Sequence, residues 1–172
     1  MHSALDATDE MFRQALGAYG QGREALYEAL RAVPAPIYVT DAEGWVIFAN
    51  EPCLKFSGRR PAIGKDRWCV TWKLYTEDGE FLPHDQCPMA TAIQEKRPNR
   101  GLQAVAERPD GTRVTFMPFP TPLLDEQGEL VGAVNMLIDV TEIRQIEELK
   151  RQAEHCRWLA RGIGDASTKA TL

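Results

Sequence analysis

Four cysteines, three histidines and a group of aromatic side chains are the residues of this 172-residue chain whose types could do chemistry. Cys53, Cys69, Cys87 and Cys156 are far apart and form no C-x-x-C pair, so their spacing signals neither structural zinc nor an iron–sulfur cluster. Each reads as a small apolar or surface residue. Cys69, His84 and Cys87 could surround one metal ion only in a pattern that matches no recognised ligand spacing, and no metal is expected. His84-Asp85 reads as a helix-capping pair. His155 lies on a helix of the kind that phosphotransfer uses, but Glu154 before it and Cys156-Arg157 after it do not make an acceptor motif. It reads as a surface residue. A Gly-rich phosphate loop and a Gly-x-Ser-x-Gly elbow are both absent from the sequence. No catalytic residue is assigned, and the chain is not expected to be an enzyme.

Tyr38, Phe48, Trp68, Trp72, Phe116 and Met136 could line an apolar pocket for a small molecule. The same side chains could fill a closed core, and the sequence leaves both readings open. Asn135 is the polar residue to watch. Strand alternation sets it apart from Met136, so only one of the two can face a cavity.

The elements that must position these residues follow from periodicity and punctuation. Residues 6–32 carry Phe12, Leu16, Tyr19, Leu26 and Leu30 at helical spacing, with Asp6 as N-cap. Gly20 and Gly22 predict a kink that divides the segment, and Pro34 and Pro36 stop it. Residues 37–40 and 45–48 form a hairpin about the turn 41–44. Asn50 caps a short helix through Phe56, ended by Ser57-Gly58. Residues 59–83 read as irregular, with helical turns at 61–65 and 68–75 and a turn at Asp78-Gly79. Residues 85–96 read as a helix with Pro88 in its first turn. Strands are expected at 101–107, 113–119 and 130–138, joined by Asp/Gly turns into an antiparallel meander. In the last strand both alternations are apolar, so it must be covered on both faces, by the N-terminal helix, a partner subunit or both. A helix then starts with Asp139 as N-cap and Glu142 as its reciprocal partner. Ile146, Leu149, Ala153, Cys156 and Ala160 make a weak heptad seam on it. The tail 162–172 reads as flexible.

In this order the local strings resemble the PAS domain family. Residues 35–44 are similar to its first strand and turn, and Ile47-Phe48-Ala49-Asn50 to its second strand. Ser57-Gly58 through Ile63-Gly64-Lys65 resembles a further landmark. Pro109-Asp110-Gly111-Thr112 and Gly128-x-Leu130-Val131-Gly132 resemble its last turns, and Asp139-Val140-Thr141-Glu142 its close. The resemblance covers residues 30–144. It implies an α+β fold, a five-stranded antiparallel sheet with helices on one face and flanking helices at each end. It implies a sensory role, binding a ligand or simply dimerising, and residues 68–89 resemble a subgroup common in bacterial histidine-kinase sensors.

Cofactor expectations come from that resemblance. Light-sensing members carry Asn-Cys-Arg where this chain has 65–70 as Lys-Asp-Arg-Trp-Cys-Val, so a flavin–cysteine adduct is not expected. Some members bind haem through a His on the central helix, which makes His84 or Cys87 candidate iron ligands in a rival haem or redox-sensing reading. No cofactor is required by the leading one.

The resulting organisation is an amphipathic segment 1–32, a PAS domain 33–140, a signalling helix 141–161 and the tail. Phe12, Leu16, Tyr19, Leu26, Leu30, Ile146 and Leu149 are the expected homodimer contacts. Asp139, Thr141 and Glu142 are the expected joint that passes a signal to a downstream domain or partner. A net charge of −5 disfavours nucleic-acid and anionic-membrane surfaces. The apolar run 130–138 is too short to span a bilayer, so a cytoplasmic place is expected.

Overall fold

The computed structural model describes the backbone of residues 2–146 and 149–155, and the side chains of all of these except residues 2–9 and 18–19. The Tyr19 side chain, Cys156, Ala160 and the tail 162–172 therefore lie outside the described residues.

Helices α1 (His2–Gly17) and α2 (Arg23–Ala32) are separated by a 3-10 turn at Ala18–Gln21. The break falls at the glycines because Gly22 takes φ +107°, which a residue with a side chain rarely adopts. Because α1 begins at His2, Asp6 is inside it and not its cap. After the two prolines come β1 (Ile37–Asp41) and β2 (Val46–Ala49). The Asp41 carboxylate shapes their turn by accepting from the Glu43 and Trp45 amides at 3.1 and 2.8 Å. Helix α3 (Glu51–Ser57) ends at Gly58 in the left-handed conformation. Strand β3 (Lys73–Tyr75), helix α4 (Pro88–Glu95) and strands β4 (Ala104–Glu107), β5 (Arg113–Leu124) and β6 (Leu130–Asp139) complete the order.

The sheet is antiparallel and ordered β2-β1-β6-β5-β4-β3. It has six strands, one more than expected. Residues 73–75 are a strand and not a helical turn. The turn at 76–79 sends the chain back, and Leu74 faces inward while Lys73 and Tyr75 oppose Glu107 and Val105.

Strand β5 runs five residues past its expected end, through Pro118, Pro120 and Pro122. These prolines share one parity. The Pro120 carbonyl accepts from the Arg100 guanidinium at 2.6 Å, on the side away from β6. Strand β4 pairs β5 only as far as Phe116. The prolines thus lie where β5 has no neighbour on that side, and their missing N–H groups blunt an exposed edge.

Strand β6 is buried without interruption from Gly132 to Leu137. Ala133 and Leu137 join an inner core with Cys53 and Phe56 of α3, Met89 and Ile93 of α4, and Phe116. Val134 and Met136 join an outer core with Phe12 and Ala15 of α1 and Leu26, Tyr27 and Leu30 of α2. The chain's own N-terminal helices therefore cover the second face. This corrects the assignment of Phe12, Leu26 and Leu30 to a homodimer contact: they are 0–3% exposed within a single chain. The described residues up to Asp139 form one compact unit, which includes the N-terminal helices, and those from Val140 onward belong to another. In the second unit residues 141–146 and 149–155 are helical, and Ile146 and Leu149 are 50% and 65% exposed. The Arg144 amide donates to the Val140 carbonyl at 2.9 Å, so Val140 and not Asp139 occupies the position that opens the helix. Among the described residues, no helix is long and apolar enough to cross a membrane.

Asn50 fastens the first unit. Its Oδ1 accepts from Ile37 N at 2.9 Å and from Cys53 N at 3.1 Å. Its Nδ2 donates to the carbonyls of Ala35 at 2.9 Å and Leu30 at 3.2 Å, with Val33 O at 3.4 Å. One 2%-exposed side chain thus joins the end of α2, the start of β1 and the cap of α3. Asn50→Ala removes a cap and strands buried carbonyls. Its expected cost is about 2–4 kcal/mol in a urea melt. A loss below half the lower figure would show that water takes over these contacts.

Candidate functional site

The inner face of the sheet carries a short chain of polar groups across an otherwise apolar layer. Tyr38 of β1 and Asn135 of β6 are directly opposite each other in the ladder, so their side chains project to the same face. Asn135 Nδ2 donates to the Tyr38 hydroxyl at 3.1 Å, and that hydroxyl donates to the Trp68 carbonyl at 3.0 Å. Asn135 Oδ1 accepts from Phe119 N at 3.0 Å, which ties β5 to the same group. Tyr38 is fully buried, and burial pushes its phenol well above the usual range, so it stays a neutral donor.

Trp68 sits in the loop between α3 and β3 with φ +69°, one of two non-glycine residues with positive φ among the described residues. A bulky residue in that region is strained, and the surroundings must hold it there. Its amide donates to Gly44 O at 2.7 Å, and its ring lies so close to Gly44 that a Cβ there would be 2.2 Å from the indole. The Arg67 guanidinium lies 4.6 Å from the Trp68 ring centre and 5.1 Å from that of Trp45. Arg59 donates to Val70 O at 3.0 Å and pairs with Asp66 at 2.6 Å, which pins both ends of the loop.

Three cysteines gather in this layer. Cys53, Cys69 and Cys87 are free thiols, each at most 3% exposed. Cys69 and Cys87 belong to the same cluster of buried residues in the inner layer. Cys69 is also 3.2 Å from Thr71 Oγ1, and the Cys87 sulfur is 3.9 Å from the Trp68 carbonyl. The neighbouring Cys87 thiol, with His84 and Thr71 adding to it, lowers the Cys69 thiol below its usual range, although burial opposes this. The neighbouring Cys69, with burial, raises Cys87. Burial raises Cys53 most, and the neighbouring Cys69 adds to it. The meeting of Cys69 and Cys87 carried no sequence signal, because it depends on how a loop returns beneath the sheet.

The expected pocket residues do not share one place. Tyr38, Phe116 and Asn135 belong to the inner layer, with Trp68 packed at its margin. Phe48 and Met136 are in the outer core, where Phe48 stacks on Tyr27 at 4.6 Å between ring centres. The reason is a bulge. Val39 pairs with Phe48 but Thr40 pairs with Val46, so Ile47 is an extra residue and Val46 and Phe48 face opposite sides. Trp72 is 53% exposed. The inner layer is occupied by Tyr38, Leu74, Met89 and Phe116, each at most 2% exposed, and that packing gives no support to a haem seated against Cys87. His84 is half-buried in a 3-10 turn before α4. Among the described residues, no group of three His, Cys, Asp or Glu side chains could hold a metal ion.

The chain is similar in fold to several solved structures. One is an RNA-binding light-oxygen-voltage receptor, at 19% identity and a TM-score of 0.54, over 78% of this chain and 38% of that one. This chain thus spans well under two thirds of the receptor. Another is the PAS domain of the fruit-fly ELK potassium channel, at 13% identity and a TM-score of 0.56, over 69% and 96%. A third is the blue-light photoreceptor Aureochrome1 LOV in its light state, at 19% identity and a TM-score of 0.50, over 73% and 97%. No curated protein matches the chain. A family model described as PAS domain matches residues 34–142.

The polar chain predicts a measurable cost for one oxygen atom. Tyr38→Phe deprives Asn135 Nδ2 of its acceptor and Trp68 O of a donor inside the core. The melting free energy should fall by about 1–3 kcal/mol. An unchanged melt would mean that the hydroxyl holds nothing.

Proposed function

The chain belongs to the PAS domain family, and from that membership we propose that it is a sensory and dimerisation module of bacterial signal transduction. PAS domains are generally sensory rather than catalytic, which agrees with the lack of a catalytic constellation in the sequence. In this reading the input is the loop carrying Trp68, together with the inner layer beneath it, where a small ligand or a partner acts. The output is the helix that follows β6, which passes the change to a downstream domain or partner.

The observation that carries the reading is the hydrogen-bonded series from Trp68 O through Tyr38 to Asn135. It supports coupling because its members lie on a strained loop and on two neighbouring strands. Asn135 belongs to β6, the strand that ends at Asp139 directly before the helical residues 141–146. A shift of Trp68 must therefore be absorbed by a strand packed on both faces, and packed layers respond by moving as units. Ile146 and Leu149 are the large apolar residues left exposed among the described residues of that helix, and they are the residues through which two copies would associate. Asp139, Thr141 and Glu142 remain the proposed joint, with Asp139 one place before the opening of the helix.

Two measurements test it. Sedimentation should give a dimer that Ile146→Glu with Leu149→Glu converts to a monomer, with the melt of residues 1–139 unchanged. A wild-type chain that stays monomeric, or a variant that stays dimeric, removes the helix from the dimer. Hydrogen exchange should become faster in residues 130–146 in Asn135→Ala. Exchange altered only around residue 68 would break the proposed route.

A further inference from the structure

We propose that the cleft between the start of α2 and the outer face of the sheet is a binding site for a short-chain carboxylate, held by its charged end at the mouth and its alkyl end inside. The site is on the face of the sheet away from Tyr38 and Asn135. It goes beyond the sensory reading above and does not rest on it.

Two β-bulges build the cleft. Val39 pairs with Phe48 and Thr40 with Val46, which leaves Ile47 as an extra residue on β2. Leu123 pairs with Gly132 and Leu124 with Leu130, which leaves Val131 as an extra residue on β6. Each bulge turns one more apolar side chain outward than plain alternation allows. Ile47 and Val131 both pack against the outer core, while Val46 and Leu130 stay with the inner one. The two re-aimed residues line one cleft, together with Leu26 of α2 and Leu123 of β5. Arg23 and Tyr27, one turn apart on α2, complete it.

Size and charge decide the occupant. The free room is about 20 Å³, and one side is open to solvent. That is space for little more than one water-sized group, so a ring cannot enter but the end of an alkyl chain can. The walls at Ile47, Val131, Leu26 and Leu123 offer such an end no polar side chain, which suits it better than water. The mouth is cationic. Arg23 is exposed, and among the described residues its guanidinium has no ion-pair partner. Tyr27 is 9% exposed and stacks on Phe48. Burial raises its phenol; Arg23 opposes that rise more strongly than Glu24 adds to it. The phenol is thus a neutral donor beside a net positive charge. An apolar slot below a guanidinium and a phenol fits an amphipathic anion: an inorganic anion lacks the alkyl end, and an alcohol lacks the charge. Once bound, it would tie α2 to β2 and β6 together and stabilise the covered form of the outer face by mass action.

The test titrates sodium butyrate into the folded, nitrogen-15-labelled chain and follows the amide shifts. Saturable shifts at millimolar butyrate are expected in residues 23–27, 46–48 and 130–132. Butan-1-ol and inorganic phosphate should each bind at least about fivefold more weakly. Arg23→Gln should weaken butyrate by about fivefold, and Arg23→Lys by less. Both variants should melt as the wild type does, because the Arg23 side chain is exposed. Absence of saturable shifts, or shifts confined to the inner layer around residues 69–71, overturns the proposal. So does phosphate or butan-1-ol that binds as well as butyrate, or an Arg23→Gln chain with wild-type affinity.

Discussion

A buried side-chain amide must have its donors and acceptors matched, and in this chain Asn50 meets that demand by joining three segments that share no ladder. Its oxygen serves the start of β1 and the cap of α3, and its nitrogen serves the carbonyls left open where α2 ends. The arrangement fixes the direction in which the N-terminal helices meet the sheet. Because α2 is held at its C-terminal end, Leu26, Tyr27 and Leu30 fall on β1 and β6, and the outer face is closed within the chain.

The covered strand sets the terms for everything else. Strand β6 lies in the middle of the order, between β1 and β5, and it carries side chains into both cores. A strand in that position cannot shift alone, since a one-residue slip would exchange its two apolar faces and break contacts on each side. It is therefore a stiff member that ends where the C-terminal helical segment begins. The proline run in β5 protects the same sheet from a different hazard, because the stretch of β5 beyond β4 would otherwise offer free N–H groups to another chain.

Around the loop at Trp68 the structure is strained where most of the domain is relaxed. A tryptophan at positive φ is held by Gly44 beneath it, Arg67 against its ring, and Tyr38 and Cys87 near its carbonyl. Strain of this kind persists only where the surroundings over-determine it, and it marks a place where small changes have large effects.

Local rules were legible in the sequence. The Asp and Gly residues of the turns, the stops at Pro34 and Pro36, the cap at Asn50 and the doubly apolar strand 130–138 depend on dihedral preference and periodicity, which neighbouring residues determine. The family resemblance was legible for the same reason, since its landmarks are such strings in order. What needed the tertiary structure were matters of which element meets which. The extra residue at Ile47 turned Phe48 away from Tyr38, pairing of residues 73–75 with β4 made a sixth strand, and α1 with α2 took the face that a partner could have covered. Cys69 and Cys87 came together only because a loop folds under the sheet. Contacts between distant segments are selected by packing of the whole core, and no window of neighbouring residues contains that information.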